Sequence, residues 1–511
     1  MNPNVMPVSS VRAKPLKTVR VPTASAEGQG VGVVHLVAEF WPYARTGGLA
    51  EAVRGIAGYQ AASNVPTAVF MPLYRVVREA FPGITPLTDT FTVRVGNREE
   101  QTRLFQAPGR RGEPRVLFID HPGYFDRDGI YGAGGADYAD NAQRFSFFSM
   151  AVLRVLPELA LPPAVLHAHD WHTALAPVYL RTVFAGQPYY DQLATVLSVH
   201  NAGFQGHFPP ESLAEIGLPE QLFHWKFLEW YGRANWLKGG LVFSESATTV
   251  SPTHAHELRT PAGGFGLHQT FISLGDRFVG ILNGIDLSIW DPETDTEIVA
   301  RYSGDDLSGK ARCKAAVQEA YGLTQSPRTP LFGMTARLVA QKGIDLLLED
   351  DFLLRHDAQF VFLGAGEERY ERALSDVAAR APDRIAVDTA FTEHKEHVLL
   401  AGADMLLMPS LYEPCGLTQM RAQRYGALPV ARRVGGLADT IDDQLTGFLF
   451  DEYATAELDL AVQRALIVYE DEEAWQGHQR EAMGRDFGWE RSAEQYLKLY
   501  RRILASRASS G

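Results

Sequence analysis

A chain of 511 residues with 46% hydrophobic and 21% charged side chains is too long for one core and has the composition of an ordinary folded protein. Its net charge of −13 argues against a general nucleic-acid binder and leaves any anionic ligand dependent on a local cluster of Lys and Arg. No apolar run reaches bilayer length, and the two cysteines, Cys313 and Cys415, speak against a disulfide framework and for a reducing, cytoplasmic setting.

In chain order, residues 1–30 stand apart. Arg12, Lys14, Lys17 and Arg20 precede the first acid, Glu27, and no continuous apolar segment of the secretory kind is present. The stretch reads as a disordered extension, with a plastid transit peptide as the alternative. From residue 31 short apolar strands alternate with amphipathic helices. Strands are predicted at Val31–Val37, Thr67–Met71, Val116–Ile119, Val165–His167, Ala194–Val199 and Thr248–Val250, and helices at Leu49–Ala62, Ala142–Leu159 and Thr173–Phe184. The strands lack polar alternation, which is the mark of a parallel sheet covered on both faces. The plan then repeats. Strands are predicted at Leu331–Thr335, Gln359–Leu363, Ile385–Val387, Met405–Met408 and Pro429–Ala431. Helices are predicted at Gly343–Leu354, Glu367–Ala381, Glu396–Gly402, Gly416–Tyr425 and Ala456–Tyr469. The reading is two parallel α/β domains, 31–280 and 281–490, followed by a helix near Arg491–Ala505 that packs on one or the other. Ligands of such sheets bind beyond the carboxyl ends of the strands, so two of them facing each other would share one cleft.

The polar residues at those strand ends carry the chemistry. "ARTGGLAE" (Ala44–Glu51) and "RVGGLAD" (Arg433–Asp439) place the same Gly-Gly-Leu-Ala phrase once in each half, each after a strand and at the opening of a helix, where glycine permits close backbone approach. "VLHAHDWH" (Val165–His172) runs into His167, His169, Asp170 and His172. It lacks zinc-site spacing and reads as an Asp and a His placed at a strand end rather than as a metal site. "TVLSVHNAG" (Thr195–Gly203) ends in His200 and Asn201, directional hydrogen-bonding groups suited to sugar hydroxyls. In the second half "TARLVAQKG" sets Arg337 and Lys342 beside a helix start, an anion site, and "FLGAGEE" adds a glycine turn at Gly366. In "SLYEPCGLTQM" the Pro keeps Glu413 out of a helix, and the helix opening near Gly416 turns its N–H groups toward a ligand beside Thr418.

Taken in order, "HAHDWH", "SVHNAGFQG", "TVSPT", "LNGID", "RLVAQKG", "LGAG", "EPCGLTQ" and "RVGGLADT" resemble the bacterial glycogen synthases and plant starch synthases, from residue 31 to about 500. The resemblance implies the GT-B fold, two Rossmann-like domains facing each other across a deep cleft. It further implies retaining transfer of glucose from ADP-glucose to the non-reducing 4-hydroxyl of an α-1,4-glucan, without a metal or cofactor and without a nucleic-acid or membrane partner. UDP-glucose as donor and a non-catalytic glucan-binding homologue are the alternatives. A glycogen phosphorylase would need a lysine-bound pyridoxal phosphate and a much longer chain.

By the same resemblance Glu413 is the essential acid near the donor glucose, and Arg337 and Lys342 grip its diphosphate. Asp170 and His200 surround the reacting centre, with Asn201 and Asn283 near the sugar. Gly366, Cys415, Gly416, Leu417 and Thr418 line the nucleotide side, and Gly48 presents its N–H to phosphate. Position 45 departs from the family's Lys-x-Gly-Gly-Leu. Arg45 keeps the charge but changes its geometry, which bears on donor choice. The neighbouring family's Glu-x7-Glu is not met, since Arg421 stands eight residues after Glu413. Asp126-Arg127-Asp128 has the look of another transferase fold's metal motif but reads as an acid-rich loop.

Overall fold

The computed structural model describes residues 32–159 and 163–509, so the extension predicted over residues 1–30 lies outside them. The chain forms two compact units. The first comprises residues up to Val250, Ala255–Ile281 and the chain from Glu490 onward; the second comprises Ser251–His254 and Leu282–Trp489. Among the described residues no helix is long and apolar enough to cross a membrane.

In the first unit seven parallel strands lie in the order Phe278–Gly280, Ser246–Thr249, Ala194–Val199, Pro163–His169, Gly32–Leu36, Thr67–Pro72 and Arg115–Asp120. The first strand of the chain sits inside the sheet. The next two extend it to one side, and the chain then returns to build the other side, so strand order reverses between Gly32–Leu36 and Pro163–His169. Both faces are covered, and Val34, Leu36, Phe70, Phe118, Leu166 and Leu197 are buried, as the unalternating apolar runs require. An antiparallel hairpin, Phe91–Val95 with Arg98–Gln106, extends the edge beside Arg115–Asp120. The sequence reading has no strand there, because seven polar residues of "REEQTRLFQ" hide the alternation that buries only Thr102 and Leu104. The last helix, Trp489–Ala508, packs in this unit, with the Tyr500 hydroxyl 2.7 Å from His167 Nδ1 and Arg507 ion-paired with Glu245.

The second unit repeats the design with six parallel strands, in the order Ile385–Asp388, Gln359–Leu363, Leu331–Thr335, Met405–Met408, Leu428–Arg432 and Phe448–Phe450. Here order reverses between Leu331–Thr335 and Met405–Met408. Phe332, Phe360, Met405 and Val430 are buried in its core. The helix predicted over Gly343–Leu354 is broken into Ile344–Leu348 and Phe352–Arg355. Asp350 and Asp351 are left-handed at φ 51° and 53°, a conformation aspartate tolerates, and three adjacent acids do not favour a continuous helix. The helix predicted over Thr173–Phe184 is likewise shorter, Leu175–Arg181, after a separate turn at Asp170–Thr173.

Candidate active site

Each sheet carries a polar constellation at its reversal point. In the first unit the strand Pro163–His169 ends at Asp170, which is buried at φ 55° and begins the short helical turn. This turns its carboxylate toward the neighbouring strand end, where Oδ1 accepts from His200 N at 2.7 Å and from Asn201 N at 3.4 Å. Burial raises the Asp170 pKa to about 7 against the lowering effect of those two amides. Burial also drives the His200 imidazole down to about 3, so it is neutral at physiological pH. Asn201 turns its side chain back onto Gly203 N at 2.9 Å.

Beyond the strand Gly32–Leu36 lies Glu39, which the sequence reading missed. Its carboxylate takes the Thr46 hydroxyl at 2.7 Å, Gly47 N at 3.3 Å, Thr46 N and the Tyr131 hydroxyl. It thereby fixes the loop that carries Arg45 into the helix Gly48–Ala62. The signal was an acid directly after an apolar strand in "VVHLVAEF", a place where a core has no use for one. Gly48, exposed at the first helical position, has no acceptor for its N–H among the described residues. Arg45 is half-buried and pairs with Glu51 at 2.7 Å.

In the second unit Lys342 and Glu413, 71 residues apart in sequence, meet at 2.6 Å. They come from the loops after Leu331–Thr335 and Met405–Met408, the two strands flanking the reversal. Ser410 Oγ donates to the same Glu413 oxygen at 3.1 Å. Both side chains are largely sealed, 19% and 7% exposed, so the pair is shielded from the solvent that weakens surface pairs. Arg337 is exposed and makes no ion pair among the described residues.

The glycines after Glu413 are set by contact. A Cβ on Gly435, at φ 43°, would lie 2.0 Å from Glu413 O, and one on Gly436 would lie 2.0 Å from Cys415 O. Gly436 N donates to Glu413 O at 3.1 Å, so this Gly-Gly-Leu-Ala segment clamps the Glu413–Cys415 loop. Gly416 is left-handed at φ 69°, and Leu417 and Thr418 follow it into the helix Thr418–Arg424. Cys415 is buried, its thiol pushed up to about 12 by burial, and Asn283 hydrogen-bonds to it. Asn283 Oδ1 is sealed from solvent without a hydrogen-bond partner. Gly366 approaches Leu338, where a Cβ would stand 2.2 Å from its carbonyl oxygen, and its N–H is taken by Glu371 at 2.7 Å.

Arg421 pairs with Glu396 at 3.3 Å, its guanidinium 4.1 Å from the Trp290 ring centroid. Asp126 and Asp128 are engaged by Arg75, and Arg127 by Asp140. Among the described residues one group has metal-ligand proximity: ring nitrogens of His35, His167 and His169 lie within 4.8 Å of one another. Both nitrogens of each ring already have a hydrogen-bonding partner.

Residues 32–273 match the family described as starch synthase catalytic domain, and residues 323–481 match glycosyl transferases group 1. A glycogen synthase of Anaeromyxobacter dehalogenans is 40% identical over 93% of this chain and 100% of its own. The glycogen synthase of Thermodesulfovibrio yellowstonii is 38% identical over 92% and 97%. Among solved structures, the catalytic domain of starch synthase IV from Arabidopsis thaliana, bound to ADP and acarbose, superposes with a TM-score of 0.85 at 32% identity, covering 93% of this chain and 100% of that one. Sucrose-phosphate synthase from Thermosynechococcus elongatus, 17% identical with a TM-score of 0.58, shares the fold. Two parallel α/β units, each with its polar cluster at the strand-order reversal, are those of a glycosyltransferase of the GT-B class. Within that class, the chain belongs to the glycogen and starch synthase family.

Proposed function

We propose that the protein transfers glucose from ADP-glucose to the non-reducing 4-hydroxyl of an α-1,4-glucan with retention of anomeric configuration. The observation that carries this reading is the sealed Lys342–Glu413 contact at the second sheet's reversal point, with the exposed Arg337 on the same connection as Lys342. Cleaving a glucosyl–diphosphate bond leaves positive charge on the sugar and added negative charge on the departing diphosphate. Lys342 and Arg337 neutralise the second, and Glu413 faces the first. Cations held in place before the reaction stabilise such charge without reorganising. The presence of ADP in the Arabidopsis relative supports adenine as the donor base, and its acarbose supports a glucan acceptor.

The residues of the first unit serve the same reaction. Gly48, with its free N–H, and Arg45 contribute to phosphate binding. Asp170, His200 and Asn201 meet the sugar and the reacting centre. In the second unit Asn283 lies near the sugar, while Gly366, Cys415, Gly416, Leu417 and Thr418 shape the nucleotide side. Retaining glycosidases of the double-displacement type place two carboxylates about 5 Å apart. Here the side-chain partners of the Glu413 carboxylate are Lys342 and Ser410. Attack on the face of the leaving diphosphate, with Glu413 stabilising the sugar cation, is the route this reading favours.

The deciding experiment measures glucosyl transfer to maltooligosaccharide with ADP-glucose and UDP-glucose side by side. Faster transfer from ADP-glucose is expected. Faster transfer from UDP-glucose would reassign the donor and point to Arg45. No transfer from either would leave a glucan-binding homologue.

A further inference from the structure

Behind His200 the first unit buries a run of polar side chains that the proposed reaction does not touch. His200 Nε2 lies 3.0 Å from His169 Nδ1, and His169 Nε2 lies 3.0 Å from His35 Nδ1. His35 Nε2 lies 2.9 Å from Gln60 Oε1. From the other end of the amide, Gln60 Nε2 donates to the Tyr500 hydroxyl at 3.3 Å. Tyr500 contacts His167 Nδ1 at 2.7 Å, His167 Nε2 contacts Ser198 Oγ at 2.7 Å, and Ser198 contacts Thr248 Oγ1 at 2.6 Å. His35, His167, His169, Gln60, Ser198 and Thr248 are all essentially fully buried.

A neutral imidazole has one N–H and one lone pair, so each ring passes on the direction of the hydrogen bond it receives. An amide is different in kind, because its oxygen only accepts and its nitrogen only donates. Gln60 therefore sets the direction of the whole run. With Oε1 on His35, the proton of His35 is on Nε2 and its Nδ1 accepts from His169 Nε2. His169 Nδ1 then accepts from His200 Nε2. Both proton positions of His200 are thereby decided: Nε2 is protonated and Nδ1 is bare. The far branch agrees. Of the two hydroxyls on His167 the phenol is the stronger donor, so Tyr500 donates, His167 passes its proton toward Ser198, and Gln60 Nε2 is left donating to Tyr500. Burial keeps the rings neutral, lowering His35 to about 4 and holding His167 and His169 well below their ordinary value.

We propose that Gln60, His35 and His169 are positioning residues that lock His200 in the Nε2-protonated tautomer, so that Nδ1 offers a lone pair to a donor hydroxyl of the bound sugar. Nδ1 of His200 has no partner among the described residues, and it is not one of the sealed polar atoms left unpaired, so it keeps access to a ligand. The lock rests on the proposed function only in naming a sugar as the donor of that hydroxyl. It also accounts for the proximity of His35, His167 and His169 without an ion, since a bound cation would need lone pairs that the run uses.

Neutron diffraction from the perdeuterated full chain reads the proton positions directly. Deuterium is expected on Nε2 of His200, His169 and His35. Deuterium on Nδ1 of His200 overturns the proposal, as does stoichiometric zinc in the purified protein by elemental analysis.

Ring-nitrogen NMR of the histidine-labelled chain provides the variant test. Gln60→Leu is expected to move the His200 ring signals toward a tautomer mixture, and an unchanged His200 spectrum overturns the proposal. Gln60→Glu keeps an acceptor toward His35, so it is expected to leave His200 in place and to move His167. In kinetics Gln60→Leu is expected to lower kcat/KM at least roughly ten-fold, the usual effect of losing a partner behind a functional group, with Gln60→Glu restoring most of it. Absence of glucosyl transfer in the wild type would defeat the functional reading and leave the proton measurement intact.

Discussion

The two units solve one problem with opposite materials. At the first sheet's reversal point the side chains are buried and mostly neutral: three linked imidazoles and the Gln60 amide, with Asp170 held by backbone N–H groups. At the second the side chains are charged, Lys342 against Glu413, with Arg337 on the same connection as Lys342. The repeated Gly-Gly-Leu-Ala phrase follows the same division. Gly47 has nothing within 4 Å of its would-be Cβ and gives its N–H to Glu39, whereas Gly435 and Gly436 are pressed against the backbone of the Glu413 loop. A shared topology dictates where the polar clusters stand, and the local residues dictate whether they are built of fixed hydrogen bonds or of fixed charge.

The sharpest test of the charged side removes one member of its pair. Lys342→Ala and Glu413→Gln are each expected to lower kcat by about 10²–10³, the scale for deleting one preorganised electrostatic contact. Steady-state rates check this, and transfer undiminished in Glu413→Gln would remove that residue from catalysis.

The second test uses acid. In the first unit His35, His167, His169, His172, His200 and His207 all have lowered pKa values, and in the second unit His356 does. A lowered folded-state value means that the unfolded chain binds more protons below pH 6.5, so stability falls as pH drops through that value. For His35 alone, with its value at about 4, the loss between pH 6.5 and 4 is about 3 kcal/mol. Asp170, raised to about 7, works the other way, favouring the fold as pH falls from 7 toward 3.8, but it is one group against several. The shifted second-unit acids, Asp295, Asp306 and Asp388, have lowered values and lose their contribution only as pH falls below about 3.8. Hydrogen exchange at pH 5 should therefore open Ala194–Val199 before Leu331–Thr335. Simultaneous opening would break the contrast.

The glycine pairs supply a third comparison. Gly436→Ala is expected to cost about 2–4 kcal/mol in denaturant unfolding, because its methyl would meet Cys415 O at 2.0 Å. Gly47→Ala, in open space at φ −160°, is expected to change stability by less than about 1 kcal/mol. Smallest is Arg45→Lys. Its pair with Glu51 is partly exposed, so a stability change under about 1 kcal/mol is expected, and the effect is sought in the ratio of KM values for ADP-glucose and UDP-glucose.

Much of the fold was legible. Leu331–Thr335, Gln359–Leu363, Met405–Met408 and Ala194–Val199 stand where the apolar runs put them, since a strand covered on both faces is written as an unbroken hydrophobic segment. The Phe91–Val95 hairpin was not, because one buried face in a polar strand leaves too faint a pattern. Of the site, residues at strand ends could be read as out of place in a core. His35, Gln60 and Glu39 could not be connected to them, since a histidine in an apolar run or a glutamine in a helix says nothing about the partner it will face.

The sequence by itself determined the two α/β units, most of their parallel strands and the family, because hydrophobic periodicity and contiguous motifs are local properties of the chain. Only the tertiary structure decided that Lys342 reaches Glu413 across 71 residues. The same holds for Gln60 meeting both His35 and Tyr500 of the last helix, and for Gly436 gripping the Glu413 loop. Hydrogen bonds and ion pairs act over about 3 Å in space, and the crossovers of a parallel sheet bring together residues that no spacing along the chain relates.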